Sequence, residues 1–311
     1  MQFRVGPWGV CLLAVFAVAP TMMVEPAASA LASPRSTVRA TTHVASTSTR
    51  RKARRHRARR APPGGVVWAR NAVVMDPATG EILYEKNGSA TVPIASLTKL
   101  MTAIVFLEGN PDLDRTVPVT MAEIRGAGRT RLRNREIVEL GDLLHMSLMC
   151  SDNCATRVVA RESGFTPDDF LARMNRKAAD LGLAQTRFVE VTGLDEHNVS
   201  SAADCARLLR AAAGIPTIHD ISTTKVYEFR SATRPHTVVN TNRLLVYNRY
   251  EVLGGKTGFI NEAGYCFATW VRTQGRDLIA VVLGAPTPAT RFADVVRLVQ
   301  RTTAPAVSAT N

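Results

Sequence analysis

Ser96 and Lys99 stand three residues apart in the stretch P-I-A-S-L-T-K-L-M-T-A-I-V-F-L, residues 93–107. On a helix, that spacing puts both side chains on one face of the first turn. Leu97, Leu100, Met101, Ile104, Val105 and Leu107 leave almost no polar face, so the helix is predicted to be buried. Burial favours the neutral amine over the ammonium, and a neutral amine can take a proton from a hydroxyl. The pair therefore has the chemistry of a nucleophile beside its base. The pattern S-x-x-K is cheap, however, and a Ser N-cap followed by a solvated Lys reads the same way. A second copy, Ser222-Thr223-Thr224-Lys225, precedes a β-branched, strand-like run.

Two further tripeptides choose between the copies. Ser151-Asp152-Asn153 follows a helical run that ends near Cys150, and Lys256-Thr257-Gly258 lies within the strand-like run Glu251 to Phe259. Each occurs once, and the ordered set S-x-x-K, S-D-N, K-T-G is far rarer than any member alone. Ser222 falls after Ser151, so Ser96 is the serine that belongs to the set.

The elements that must carry these residues can be read from pattern. Asn71 to Lys86 reads as a hairpin, with a strand at Ala72–Met75, a Pro- and Gly-bearing turn at residues 76–80 and a return strand at Ile82–Tyr84. The buried helix follows. Residues 118–213 read mainly as helix, over Ile137–Met149, Asn153–Glu162, Thr166–Leu181 (capped by Thr166 with Pro167 behind it) and Ser201–Ala213. Strand-like runs return at Val226–Phe229, Thr237–Asn240, Glu251–Phe259, Tyr265–Thr273 and Leu278–Leu283, and a helix at Arg291–Val299 closes the domain. This order predicts one α/β body whose antiparallel sheet is built from both ends of the chain, with a helical subdomain inserted between them.

The three motifs, in their order, resemble those of the serine penicillin-recognising enzymes, the DD-peptidases and serine β-lactamases. Four further stretches are similar to the low-molecular-mass D-alanyl-D-alanine peptidases: residues 93–102; Thr192-Gly193-Leu194 with Asn198, Ser200, Ser201 and Asp204; Asn240 to Leu244; and Lys256 to Cys266. The resemblance covers most of residues 66–301 and implies the β-lactamase/DD-peptidase-like fold, with an antiparallel sheet flanked by helices. The chain stops about ten residues after the closing helix, without the extra β domain and amphipathic anchor of the type-5 carboxypeptidases. In this it resembles the type-7 DD-endopeptidases, which cut peptidoglycan cross-links.

That resemblance, joined to residue chemistry, implies a mechanism. Ser96 would attack the carbonyl of a D-Ala–D-Xaa bond and form an acyl-enzyme, with Lys99 as base, kept neutral by burial and by the charge of Lys256. Ser151 would relay a proton to the leaving amine. Asn153, Lys256 and Thr257 would bind substrate, and Gly258 would let the substrate strand approach the sheet edge. The backbone N–H groups of Ser96 and Phe259 would form the oxyanion hole. No metal or cofactor is required. Three other readings stay open: a DD-carboxypeptidase removing terminal D-Ala, a β-lactamase, and a non-catalytic wall-binding protein. Against the β-lactamase, the region corresponding to the class A glutamate motif E-x-x-L-N reads V-E-V-T-G-L, residues 189–194.

Other residues have plainer readings. Asp152 supports its loop, Arg243 serves either a substrate carboxylate or an ion pair, and Glu262 is a turn residue. Trp68 and Trp270 belong to the core. His145, His197, His219 and His236 form no visible triad, and the absence of G-x-S-x-G argues against an α/β-hydrolase.

Ahead of the domain, Arg4, the apolar run Val10–Ala19 and Ala28-Ser29-Ala30 have the form of an export signal over residues 1–30. Residues 31–65 read as a disordered basic linker. Between Pro34 and Ala61 there are ten Lys or Arg and no acid, the source of most of the net charge of +13. Behind an export signal, such a segment suits anionic polymers or lipid of the envelope, or serves as a spacer, and does not suit nucleic acid. The expected partners are peptidoglycan and, as inhibitors, β-lactams, and the expected location is the periplasm or cell envelope. Residues 302–311 are expected to be a flexible tail. Cys150, Cys154, Cys205 and Cys266 remain after signal removal and read as small buried thiols. Disulfides are permitted in that compartment, and a metal site lacks histidines at ligand spacing.

Overall fold

The computed structural model describes residues 65–303. The export signal, all but the last residue of the basic linker and residues 304–311 lie outside the described residues.

The first hairpin forms as predicted, between strands Asn71–Met75 and Ile82–Lys86. Asp76 shapes its turn by accepting from the Ala78 amide at 2.8 Å. The three late strands, Glu251–Ile260, Gly264–Thr273 and Arg276–Ala285, run antiparallel through short turns. The last of them pairs with the first strand of the chain, Asn71 opposite Leu283 and Val73 opposite Val281. The result is a five-stranded sheet in which Ile82–Lys86 is one edge and Glu251–Ile260 the other.

Alternation along the central strands splits the core in two. Val74, Ala280 and Val282 face the closing helix Pro288–Thr303 and meet Phe292, Val295 and Leu298. Val73, Met75, Ile279, Val281 and Leu283 face the opposite way, into a larger cluster with helices Thr98–Glu108, Leu140–Met149 and Ala202–Ala213. In the first of these helices every residue from Thr98 to Phe106 is buried, Thr98, Lys99 and Thr102 included, as the near absence of a polar face predicts. Caps fix the helical block: Thr166 accepts from the Asp169 amide at 3.1 Å and Ser201 from the Asp204 amide at 3.1 Å.

Several local expectations are corrected. The α-helix begins at Thr98, and Ala95–Leu97 is a 3-10 turn ahead of it, so Ser96 sits in the tighter turn. Ile137–Glu139 is a strand paired with Thr116–Pro118, and the helix there begins only at Leu140. Val117 and Val138 are buried opposite one another while their neighbours point to solvent, a period of two that the following helix masks in the sequence. A helix at Pro216–Thr223, opened by Pro at its first turn, had been missed. Among the described residues, Val226–Arg230 and Pro235–Val239 pair only with each other, as a separate hairpin. Trp68 and Trp270 are half-buried at the edge of the core. The Trp270 indole donates to Asp277 at 3.2 Å, which keeps the polar end of the ring near solvent.

Candidate active site

Three segments converge on the amine of Lys99, which is wholly buried. Its Nζ donates to Ser96 Oγ at 3.0 Å, to Asn153 Oδ1 at 2.6 Å and to the carbonyl of Thr192 at 2.6 Å. An ammonium fills all three directions. The neutral amine has only two N–H groups, and Asn153 and Thr192 are the two shorter partners. Its lone pair is then left facing Ser96 Oγ, within the reach required for proton transfer. Burial lowers the Lys99 pKa to about 7, opposed by the carboxylates of Glu190 and Asp152 and helped by the charge of Arg157. The charge expected to assist burial was that of Lys256. Lys256 instead responds to Lys99: it is buried too, and burial and then the Lys99 charge hold its pKa well below the usual lysine range.

The 3-10 turn gives Ser96 its position. Ala95 takes a left-handed φ of +49°, a costly conformation for a residue with a Cβ. Two glycines pack closely against the turn. A Cβ on Gly193, whose φ is +83°, would overlap the Ala95 carbonyl. A Cβ on Gly258 would lie 3.0 Å from both the Ile94 carbonyl and the Ser96 amide. The K-T-G strand therefore passes directly over the backbone N–H of Ser96. Phe259, next along, is 46% exposed at the rim and stacks on Tyr265 at 4.3 Å.

Ser151 also has a left-handed φ, of +63°, and its Oγ is buried without a hydrogen-bond partner among the described residues. Asp152 supports the loop as expected, accepting from the Ala155 amide at 3.0 Å and from Thr130 at 2.8 Å. Asn153 uses Oδ1 on Lys99 and donates from Nδ2 to the Ala127 carbonyl at 2.8 Å. Lys256 donates to the Thr257 carbonyl at 2.9 Å. The Thr257 hydroxyl meets that of Thr241 at 2.7 Å, and the Thr241 amide donates to the Met149 carbonyl at 2.9 Å, so Thr241 ties the edge strand to the helix before Ser151.

The family profile of D-alanyl-D-alanine carboxypeptidases matches residues 56–287. The chain belongs to that peptidase family. Among relatives, it is 39% identical over 233 residues to a D-alanyl-D-alanine endopeptidase of Pseudomonas aeruginosa, covering 73% of this chain and 75% of the relative. The corresponding Escherichia coli endopeptidase is 35% identical over the same shares. A D-alanyl-D-alanine carboxypeptidase of Bacillus subtilis is 32% identical over 74% of this chain and 61% of its own length. The fold is similar to that of a Streptomyces DD-transpeptidase, with a TM-score of 0.72, 27% identity, and coverage of 76% of this chain and 97% of the other.

Within this DD-peptidase, two positioning residues escaped the sequence reading. Glu190 is the first. Its carboxylate accepts from the Thr192 amide at 2.7 Å, the Thr192 hydroxyl at 2.6 Å, the Leu194 amide at 3.0 Å, Asn198 Nδ2 at 2.6 Å and the Gly193 amide. It thereby presents the Thr192 carbonyl to Lys99 and presses Gly193 against Ala95. The signal available was the segment Thr192-Gly193-Leu194 with Asn198, which had been matched to the family without a role for the glutamate before it. Arg291 is the second, donating from the closing helix to the Gly258 carbonyl at 3.2 Å. It lies in no motif.

The rival S-x-x-K copy is structural. Ser222 is buried and donates to the His219 carbonyl at 3.2 Å, while the exposed Lys225 reaches Asn248 at 3.4 Å. All four cysteines are free thiols, three buried and Cys150 half-buried. Burial raises the thiol pKa of Cys150 to about 11 and that of Cys154 to about 12. No described helix is long and apolar enough to cross a membrane.

Proposed function

We propose that this serine DD-peptidase acts in the cell envelope as an endopeptidase, hydrolysing D-Ala–D-Xaa cross-links between peptidoglycan stem peptides. The observation that carries the reading is the buried Lys99 amine, held by Asn153 and Thr192 with its remaining direction on Ser96 Oγ at 3.0 Å. Ser96 attacks the scissile carbonyl and its proton passes to Lys99. The oxyanion forms between the backbone N–H groups of Ser96 and Phe259, where one such donor contributes roughly 3–4 kcal/mol. The unpartnered Ser151 hydroxyl relays that proton from Lys99 to the leaving amine, which departs, and water then hydrolyses the acyl ester and returns a proton to Ser96. Asn153 turns its second Nδ2 hydrogen to the substrate amide. Lys256 and Thr257 receive a carboxylate or polar end, which restores the charge that burial disfavours on Lys256. An extended substrate adds along the outer edge of Glu251–Ile260.

In this reading residues 1–30 are an export signal, 31–65 a basic linker toward anionic envelope polymers and 66–303 the catalytic domain; the tail expected from residue 302 begins only after Thr303, because the closing helix runs through Thr302 and Thr303. A β-lactamase use is disfavoured, because the Glu190 carboxylate is occupied by backbone amides and Asn198 and is not free to activate water.

The test is mass spectrometry of the mature protein with a penicillin, beside Ser96→Ala, followed by incubation with purified cross-linked muropeptides. A Ser96-dependent adduct with cleavage of dimers is the expected result. Loss of terminal D-alanine alone would assign a carboxypeptidase. Rapid penicillin turnover without muropeptide cleavage would assign a β-lactamase, and no adduct with no cleavage a wall-binding protein.

A further inference from the structure

The loop before the Ile137–Glu139 strand reads R-G-A-G-R-T-R-L-R-N-R over residues 125–135, five arginines and no acid. All five are exposed, and among the described residues none forms an ion pair. The flanking acids are engaged elsewhere, Glu123 with Arg161 at 2.7 Å and Glu136 with His236 at 2.7 Å. Like charges so close together repel, so the fold carries this row at a cost that a bound anion would relieve.

The loop is pinned to the active site. The Ala127 carbonyl accepts from Asn153 Nδ2 at 2.8 Å, and Thr130 donates to Asp152 Oδ2 at 2.8 Å. Arg131 Nη1 donates to the Thr237 carbonyl at 2.6 Å, which leaves the rest of its fork free. Arg129 and Arg131 line a cavity of about 250 Å³ with Cys150, Asp152, His236 and Val238. The acid on that wall, Asp152, is turned to Thr130 and the Ala155 amide.

We infer that Arg129 and Arg131 form a carboxylate-recognition subsite on the Asp152–Asn153 flank of the cleft, binding an acidic group of the substrate peptide away from the scissile bond. The inference rests on the DD-peptidase reading and deepens it. Peptidoglycan stem peptides are chains rich in free carboxylates, and the planar guanidinium fork fits a carboxylate through two parallel hydrogen bonds. Lys256 lies across the site on the K-T-G strand, so the two cationic groups read different parts of one substrate.

The test compares soluble cross-linked muropeptides bearing free stem carboxylates with the same peptides in which only the carboxylates away from the scissile bond are converted to carboxamides, the end offered to Lys256 being left unchanged, using the full chain and an R129Q/R131Q double variant. The wild type is expected to favour the free acid by roughly ten- to a hundredfold in kcat/KM, the size of one or two charged hydrogen bonds. The preference should lie in KM and shrink with salt. The double variant should lose it, converging with the wild type on the amidated peptide. Equal wild-type kcat/KM on the two forms would overturn the subsite and leave the peptidase reading standing, as would a double variant that keeps the preference. Arginine-dependent binding to phosphatidylglycerol vesicles without any peptide preference would overturn it in favour of a lipid surface. Cleavage of neither form by the wild type would overturn the peptidase reading itself, and the subsite with it.

Discussion

Lys99 and Thr192 are joined by a 2.6 Å hydrogen bond from amine to backbone carbonyl, and Glu190 holds that carbonyl in place by accepting from both the amide and the hydroxyl of Thr192. The Lys99 amine is therefore oriented by a loop, and the loop by one carboxylate. The remaining direction on the amine belongs to Ser96.

The acylation rate should follow the ionisation of Lys99. Its pKa is lowered to about 7, chiefly by burial, and in the proposed mechanism the neutral form is the base. The second-order rate of acylation by a fluorescent penicillin should rise with pH, about tenfold per pH unit below the inflection, and level off above about 7. Lys99→Arg, permanently charged, should lose at least ~100-fold. A flat profile from pH 5 to 9 would remove Lys99 from the role of base.

Glu190→Gln should act in two separable ways. The carboxylate raises the Lys99 pKa, so its loss should move the inflection below the wild-type value. A glutamine offers one oxygen where two accept, and a buried amide left without a partner costs about 1–3 kcal/mol, readable as a lower melting temperature. An unchanged inflection would mean that Glu190 holds the loop without tuning the base.

Gly193→Ala should be severe. The residue sits at φ +83°, and a Cβ would overlap the Ala95 carbonyl. The left-handed conformation costs ~1–2 kcal/mol for a residue with a Cβ, and the steric clash roughly 1–3 more. Urea unfolding should show the loss of stability and penicillin labelling the loss of the Ser96 turn. Wild-type stability and labelling would show that the loop is free to shift.

Glu136 should make the protein acid-sensitive. Burial pushes its carboxyl up, but hydrogen bonds from Ser231, Arg234, His236 and the Arg133 amide outweigh that and bring it down to about 2. A depressed carboxylate contributes stability above its unfolded pKa and loses it as pH falls through the folded one. Melting temperatures of wild type and Glu136→Gln should differ most at neutral pH and converge between about pH 4.5 and about 2. A gap that stays constant over that range would separate the cluster from the pH response.

Removing residues 31–61 should weaken association with isolated envelopes in a salt-dependent manner, leaving turnover of soluble peptides unchanged. Association that survives the deletion would make the segment a spacer.

What was legible in the sequence was what is encoded locally. Ser96 with Lys99, Ser151 with Asn153, and Lys256 to Gly258 are short runs whose chemistry survives translation into a string, and the structure brings Ser96, Lys99 and Asn153 into direct contact, with Gly258 over the Ser96 amide. Glu190 was harder to read, because most of its work is done through the backbone amides of residues 192–194, and only the Thr192 hydroxyl and Asn198 mark it in side chains. The left-handed Ala95 was hidden for a related reason: its conformation is imposed by Gly193 and Gly258, distant in the chain. The strand Ile137–Glu139 was absorbed into the helix behind it, since three alternating residues next to a long apolar run hold too few positions to reveal their period.

The pairing of Asn71–Met75 with Arg276–Ala285 has a temporal consequence. Contacts so remote in sequence form slowly, and during synthesis they cannot form until the last strand has emerged. Until then the apolar residues behind Lys99 have no sheet to close against, and a solvated lysine stays protonated. On the proposed mechanism this hydrolase is thus assembled without a working base, and Ser96 stays dormant until the final strand arrives.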